Sequence, residues 1–337
     1  MCTPTAARDI YISFFMFTTN LQPDDGDYQS RLIRHMKALW ERGYRGFEFP
    51  IAPTDPGRYA RDFDSYRALR DQMDAQGLEE AKITTNVMAT RSCDPSSPYR
   101  EQRDRARDYL MSRIDITRAL RGRIMMGPIV IPYGVYPVTD FNDPIWSDTL
   151  QLALEARYAN AAPVLNDLGQ YAQKDMSVKL AIEPITHWET PGPNKLCQLM
   201  EFLDKVPCKQ VGVVIDSAHE TLDGDGPERF AEQVAVLAGQ ERLHYVQASA
   251  PDRGALHTCW LNWQSFLTPI LRVYAGPVAV EIFNAIPAFL NSLRLTRRKF
   301  WIPEEDPGNA YPNAYQTAEA AFKVTRQNID KYTPATP

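Results

Sequence analysis

Eight short, strongly apolar runs recur along the chain, alternating with longer segments whose apolar residues are spaced three or four positions apart. Runs that are apolar almost throughout are typical of strands buried on both faces, as in a parallel sheet, and the wider spacing is typical of amphipathic helices. The predicted strands are residues 9–19, 46–52, 82–89, 123–133, 177–185, 210–216, 243–250 and 276–283. The predicted helices are residues 28–42, 65–76, 100–120, 148–173, 195–203, 228–237, 262–274 and 318–332.

This alternation predicts one α/β domain, a closed (β/α)₈ barrel over residues 9–332. A doubly wound open sheet would produce the same alternation, but no G-x-G-x-x-G or G-x-x-x-x-G-K motif follows any strand, which disfavours nucleotide-binding folds. Residues 291–316 depart from the repeat, because they are basic, then aromatic, then rich in proline and acids. Such a segment is too long for an ordinary connector, so we predict a lid or a partner-docking insertion there.

Composition narrows the classes of partner. The formal net charge is -5, from 37 basic and 42 acidic residues, and no long basic run occurs, so nucleic acid is not an expected partner. No stretch approaches the roughly 20 apolar residues of a membrane helix. Five scattered cysteines without a CxxC pair, and a start that lacks an apolar signal core, favour a reduced, cytoplasmic protein.

Four polar residues stand late in the last four predicted strands: Glu183, Asp216, Gln247 and Glu281. Residues at the carboxyl ends of barrel strands face the active-site mouth, so we expect these side chains to converge. Buried carboxylates carry a large desolvation cost, which a shared divalent cation removes. Oxygen ligands favour a hard cation, Mn²⁺ first, with Mg²⁺ or Co²⁺ as alternatives. The competing interpretation is that each acid pairs separately with an arginine or lysine.

The motifs around these residues resemble those of a known family. They are Ile182-Glu183-Pro184, Asp216-Ser217-Ala218-His219, Val280-Glu281-Ile282, and Arg253 six residues after Gln247. This set is similar to the xylose-isomerase-like TIM barrels, in the sugar isomerase/epimerase branch that includes ketose 3-epimerases and inosose enzymes. The resemblance implies that the four strand residues hold the metal, that Glu183 and Glu281 are catalytic, and that His219 and Arg253 contact the substrate, with His219 also taking part in catalysis.

The sequence departs from that branch at the third metal ligand, which is normally histidine and is Gln247 here. An amide oxygen can bind Mn²⁺ but carries no charge, so we expect lower metal affinity. His244 lies three residues earlier, on the opposite face of the predicted strand, and we expect it to be a buried structural residue.

A second departure follows the fifth strand, in Glu183-Pro184-Ile185-Thr186-His187-Trp188-Glu189. The branch usually has arginine near the position of His187 and a substrate-contacting glutamate at that of Glu189. A histidine beside a metal can act as a general base, and the alternative is a loop residue that packs against Trp188. Glu48, late in the second strand, is predicted either to contact a sugar hydroxyl or to form a structural salt bridge.

His187, the non-histidine third ligand and the segment Arg-Arg-Lys-Phe-Trp-Ile-Pro at 297–303 resemble the catalytic alpha subunits of bacterial C-glycoside deglycosidases. Those enzymes cleave the sugar–aryl carbon–carbon bond of 3-keto C-glycosides and work with a small beta subunit. The resemblance implies that His187 removes the C2 proton and that the partner is a beta subunit, a second copy of the chain, or both. We place this function ahead of a ketose 3-epimerase or sugar isomerase acting on a keto sugar. With five histidines, the chain has too few for the trizinc endonucleases that share the barrel.

Overall fold

Eight parallel strands close into a barrel in chain order, β1 to β8, which confirms the predicted fold. The computed structural model describes residues 8–18, 21, 23–137, 148–174, 177–283, 302 and 312–334. Closure is made by β1 and β8, where Ile10 pairs with Val278. The strands are β1 Ile10–Ser13, β2 Gly46–Pro50, β3 Lys82–Asn86, β4 Ile124–Gly127, β5 Lys179–Ile182, β6 Val211–Asp216, β7 Leu243–Ser249 and β8 Val278–Glu281.

The described residues include nine α-helices, which lie between and after the strands in sequence. They are α1 Gly26–Glu41, α2 Tyr59–Ala75, α3 Arg100–Ala119, α4 Asp148–Ala172, α5 Leu196–Leu203, α6 Ser217–Asp223, α7 Pro227–Gly239, α8 Trp263–Val273 and α9 Ala314–Tyr332. Helix α2 begins six residues earlier than predicted, because a 3₁₀ turn with a proline at its first position, Pro56–Arg58, leads directly into it. Within the described ranges, no helix is both long and apolar enough to cross a membrane.

Two strands, β1 and β4, end six residues before the predicted ends of their apolar runs. After β1 the chain turns into a 3₁₀ helix, Phe14–Met16, and after β4 it leaves the sheet at Gly127. Ile129, Val130 and Ile131 remain in the hydrophobic core although they follow the strand. Apolar runs therefore mark burial, and the strand occupies only part of each run.

An inner layer of the barrel explains where the polar strand residues lie. Side chains from strands on opposite sides of the barrel form one packed cluster, so this cluster fills the barrel interior: Tyr11, Met126, Ala181, Val214, Tyr245 and Ala279. Because side chains alternate along a strand, residues two positions later also point inward. For five of these strands those residues are Ser13, Glu183, Asp216, Gln247 and Glu281. The polar site is therefore the next inward layer above an apolar one.

The predicted insertion at 291–316 lies largely outside the described residues. Of this segment the structure describes residues 302 and 312–316. Ile302 is buried in the hydrophobic core, and α9 begins at Ala314, four residues before the predicted start. The lid or docking role of the segment stays a prediction.

Gly127 ends β4 and holds the backbone of Glu183 in place. We predict that a side chain at this position destabilises the protein. Its φ is +132°, a Cβ would lie 2.2 Å from the Val87 carbonyl oxygen, and its own carbonyl accepts the Glu183 backbone N–H at 3.0 Å. Gly127→Ala should lower the free energy of unfolding in urea by roughly 2–4 kcal/mol. Gly57→Ala is the matched control, because a Cβ at Gly57 meets nothing within 4 Å. Equal stability of the two variants would contradict this role for Gly127.

Candidate active site

The structure brings the four predicted strand residues together at one end of the barrel. Asp216, Gln247 and Glu281 lie in β6, β7 and β8, and Glu183 directly follows β5. None of the four is more than 6% exposed. The Gln247 Nε2 atom lies 3.3 Å from Glu281 Oε1, so the amide and the carboxyl are in direct contact. The cluster thus buries three acidic side chains that cannot all be charged without a nearby cation.

Arg253 supplies a positive charge to this cluster. Its Nη1 donates to Asp216 Oδ2 at 2.7 Å and to Glu281 Oε2 at 3.0 Å. Its Nη2 lies 2.6 Å from His219 Nε2, which accepts the hydrogen bond because a guanidinium can only donate. Burial lowers the pKa of Arg253, but Asp216 and Glu281 outweigh it and hold that pKa above its ordinary value.

Asp216 is charged at neutral pH although it is buried. Burial raises its pKa, but Arg253, together with the hydrogen bonds to its carboxylate, holds the pKa below its ordinary value. Oδ1 accepts from the Ser249 hydroxyl and, at 2.7 Å, from the backbone N–H of Ala218. The latter bond caps α6, a helix that the sequence did not predict. Asp216 therefore caps the start of α6 through Oδ1, while its Oδ2 faces the cluster.

His219 projects from α6 into the same cluster. Its Nε2 lies 3.3 Å from Glu183 Oε1 and 3.7 Å from Asp216 Oδ2, and its side chain is 2% exposed. Its Nδ1 is 3.8 Å from Glu189 Oε2, which also accepts the Thr186 hydroxyl at 2.5 Å. The structure therefore places His219 at the centre of the cluster and Glu189 at its edge.

A further acid, Glu48 on β2, belongs to the cluster. It is fully buried, and it accepts hydrogen bonds from Asn86 Nδ2 at 3.2 Å and from Gln247 Nε2 at 3.0 and 3.1 Å. Its described partners are thus neutral groups, so Glu48 forms no salt bridge among the described residues. Contact with a sugar hydroxyl stays a prediction. Burial raises the pKa of Glu48 to about 7 and that of Glu281 well above its ordinary value. Side chains alternate between the inside and the outside of the barrel along each strand. This alternation predicts that Glu48 points inward, as it does for the other residues of the cluster.

The donor set fits a divalent ion. Glu183, Asp216 and His219 each offer a ligand atom, and these atoms lie within 4.8 Å of one another. Gln247 Oε1 is buried and has no hydrogen-bond partner among the described residues, so it remains available as a ligand. Carboxylate oxygens with one imidazole and one amide oxygen suit Mn²⁺, Mg²⁺ or Co²⁺ better than a thiolate-preferring metal.

His187 lies apart from this cluster. Its side chain is 58% exposed, and its Nδ1 and backbone N–H bond to the two oxygens of Asp223 at 2.7 and 2.8 Å. Its ring also makes an edge contact with Trp188. None of its described side-chain contacts is with Glu183, Asp216 or Glu281. The structure therefore joins His187 to α6 and to a neighbouring cavity of about 630 Å³.

His244 has a structural position. It is buried, its Nε2 lies 3.1 Å from the Lys209 carbonyl oxygen, and burial lowers its pKa to about 4. A histidine that stays neutral and bonds to a backbone carbonyl fits the expectation for this residue.

Comparison with known proteins identifies the family. Residues 36–299 match the model of the xylose isomerase-like TIM barrel, and the chain belongs to that family. It is 25% identical over 202 residues to an L-ribulose 3-epimerase of Methylomonas sp. strain DH-1, a match that covers 59% of this chain and 64% of that protein. It is also 25% identical over 182 residues to a ketose 3-epimerase of Arthrobacter globiformis, covering 52% of this chain and 61% of that protein.

A solved structure is considerably more similar. It is that of a candidate sugar phosphate isomerase/epimerase from Anabaena variabilis, 68% identical, with a TM-score of 0.93, covering 97% of this chain and all of that one. The matched part spans less than two thirds of the two curated relatives. Those relatives are ketose epimerases. Their similarity favours a ketose 3-epimerase or sugar isomerase over C-glycoside cleavage, the function that the sequence analysis placed first.

The raised pKa of Glu48 predicts a pH dependence of stability. Because the folded-state pKa, about 7, lies above the ordinary value of 4.5, the folded protein binds more protons between these values than the unfolded chain. This contribution to stability is therefore complete below pH 4.5 and is lost as the pH rises through 7. With a chelator present, the free energy of unfolding of the wild type should fall with rising pH by about 3 kcal/mol more than that of Glu48→Gln.

Urea unfolding at a series of pH values measures this difference. Glu155→Gln, which removes an exposed carboxylate on α4, is the matched control and should follow the wild type. Parallel curves for the wild type and Glu48→Gln would show that Glu48 is not held in its neutral form.

Proposed function

We propose that the protein is a metal-dependent ketose 3-epimerase. The observation that carries the proposal is the placement of Glu183 and Glu281 in one buried cluster, after β5 and at the end of β8. These strands are three positions apart in a closed barrel of eight, so the two carboxyls approach the space between them from nearly opposite sides. Epimerisation needs that arrangement, because a proton leaves one face of a carbon and returns to the other. The similarity to two ketose epimerases supports the same chemistry.

The residues of the site have separate tasks in this reaction. Glu183, Asp216 and Glu281, with His219 or Gln247, would hold the divalent ion, which when bound supplies Lewis-acid polarisation of the substrate oxygens. Glu183 and Glu281 accept and return the proton at C3, which lies next to the carbonyl carbon. Arg253 and His219 stabilise the negative charge that develops on the enediolate oxygens.

Removing one of the two carboxyls should stop epimerisation and leave the fold intact. We expect Glu281→Gln to lower kcat for L-ribulose epimerisation by about 10²–10⁴, the usual contribution of a positioned acid or base. In deuterated buffer, this variant should still exchange the C3 hydrogen of the one epimer whose proton faces Glu183. Glu183→Gln should show the opposite preference.

Nuclear magnetic resonance of the two epimers measures both exchange rates, with the exposed Glu155→Gln as a control that keeps full activity. Epimerisation by Glu281→Gln close to the wild-type rate would refute the two-carboxyl mechanism.

Cleavage of 3-keto C-glycosides is a second candidate function, and the geometry of His187 supports it. Asp223 binds the Nδ1 side of the imidazole, which leaves Nε2 as the atom that could accept a proton. The cavity beside it has apolar walls from Tyr136, Leu150 and Leu154, as an aryl group would require. This function would need the small beta subunit, and the segment 291–316 is the predicted place for it to dock.

His187→Asn separates the two functions. If the protein is a ketose 3-epimerase, the variant should epimerise ketoses close to the wild-type rate, because its side chain lies outside the carboxylate cluster. If it is a deglycosidase, the same change should lower single-turnover cleavage of a 3-keto C-glucoside by about 10²–10⁴. Cleavage by the wild type without any ketose epimerisation would reverse our preference.

A further inference from the structure

Arg253 occupies the ligand atoms that a metal ion would need. Its guanidinium bonds to Asp216 Oδ2, Glu281 Oε2 and His219 Nε2 at 2.7, 3.0 and 2.6 Å. We infer that Arg253 is a built-in competitor of the metal: the ion binds tightly once the guanidinium leaves these atoms, and its departure makes Arg253 available to the sugar. This inference rests on the proposed metal-dependent function.

The competition follows from the single acceptor nitrogen of His219 and from the repulsion between two neighbouring cations. A neutral imidazole has one acceptor nitrogen, so His219 Nε2 can accept from Arg253 or bind a metal, but not both at once. Asp216 Oδ1 already accepts from Ser249 and Ala218, which leaves Oδ2 as its metal-binding oxygen. Arg253 donates to that oxygen, so an ion bound there would lie beside the guanidinium. Sharing the site would also place two cations side by side in a buried environment, where their repulsion is strong.

The loop around Arg253 allows the side chain to move without the backbone. The Arg253 backbone N–H donates to Ala250 O at 2.7 Å, and its carbonyl accepts from Phe283 N at 3.0 Å, so the main chain is held at both groups. The guanidinium carbon lies 5.4 Å from the centre of the Phe283 ring, which stacks on Phe15. The Phe283 ring therefore lies within reach of the guanidinium and offers an aromatic face to the displaced cation.

Glu189 gives the displaced guanidinium a second partner. It is among the acids whose charge stabilises the positive form of Arg253, and it lies at the edge of the cluster beside His219. The side chain can therefore move from the inner carboxylates toward this outer carboxylate. At that edge, the five donors of the guanidinium can reach sugar hydroxyls.

Metal affinity measured without sugar tests the inference. Calorimetric titration with Mn²⁺ should show about tenfold or tighter binding in Arg253→Ala than in the wild type, because the internal competitor is gone. Arg229→Ala is the matched control: it removes one positive charge from an exposed pair with Glu232 on α7, so it changes net charge equally but should leave Mn²⁺ affinity unchanged. In a chelator the thermal midpoint of Arg253→Ala should fall below that of the wild type, and Mn²⁺ should raise it by more.

A measurement on the wild type covers the case in which the variant does not fold. With ¹⁵N-arginine labelling, titration with diamagnetic Mg²⁺ should shift the Arg253 guanidinium resonances, identified by their absence in Arg253→Met. Equal or weaker Mn²⁺ binding by Arg253→Ala, or unmoved guanidinium resonances at metal saturation, would overturn the competition but not the epimerase proposal. Absence of Mn²⁺ and Mg²⁺ binding to every form would overturn both.

Discussion

Charge balance inside a closed barrel governs the arrangement of this site. The inward layer above the apolar cluster holds Asp216 and Glu281, joined by Glu183 and Glu48. Charged carboxylates in such a place are stable only if they are paired or protonated. The structure uses both solutions, because Arg253 neutralises Asp216, while burial favours the protonated forms of Glu48 and Glu281. A divalent ion offers a third solution, because it would neutralise several of these carboxylates at once.

The sequence predicted which residues form this cluster because one physical rule decides which strand side chains face the barrel interior. Alternation along buried strands decides which residues face the barrel interior, and the polar exceptions among them, Asp216, Gln247 and Glu281, stand out in otherwise apolar runs. Glu48 obeys the same rule on β2. Side-chain partners were not predictable in this way, since the bond from Arg253 to His219 Nε2 depends on rotamers and on a loop whose path no periodicity encodes.

The ends of strands and helices, and the positions of loop side chains, were predicted less accurately than the order of the elements. The run at 123–133 reads as one long strand because its residues are buried, yet the strand stops at Gly127, where a positive φ turns the chain out of the sheet. Helix α6 was missed because its cap is Asp216, whose polar character was assigned to the site alone. His187 lies on the loop after β5, where the chain no longer alternates, so its distance from the motif in sequence could not place its side chain.

Glu48 explains why a glutamine suits position 247, where the resembling branch usually has a histidine as its third metal ligand. Gln247 Nε2 carries two hydrogens, and these serve the Glu48 carboxyl and Glu281 Oε1 on two different strands. An imidazole has at most one N–H on each nitrogen, so a histidine nitrogen here could not donate to both acids while also binding a metal. The residue pair Glu48 and Gln247 is therefore interdependent. The amide keeps two buried carboxyls close together, and its oxygen stays available for the ion that the rest of the cluster can hold.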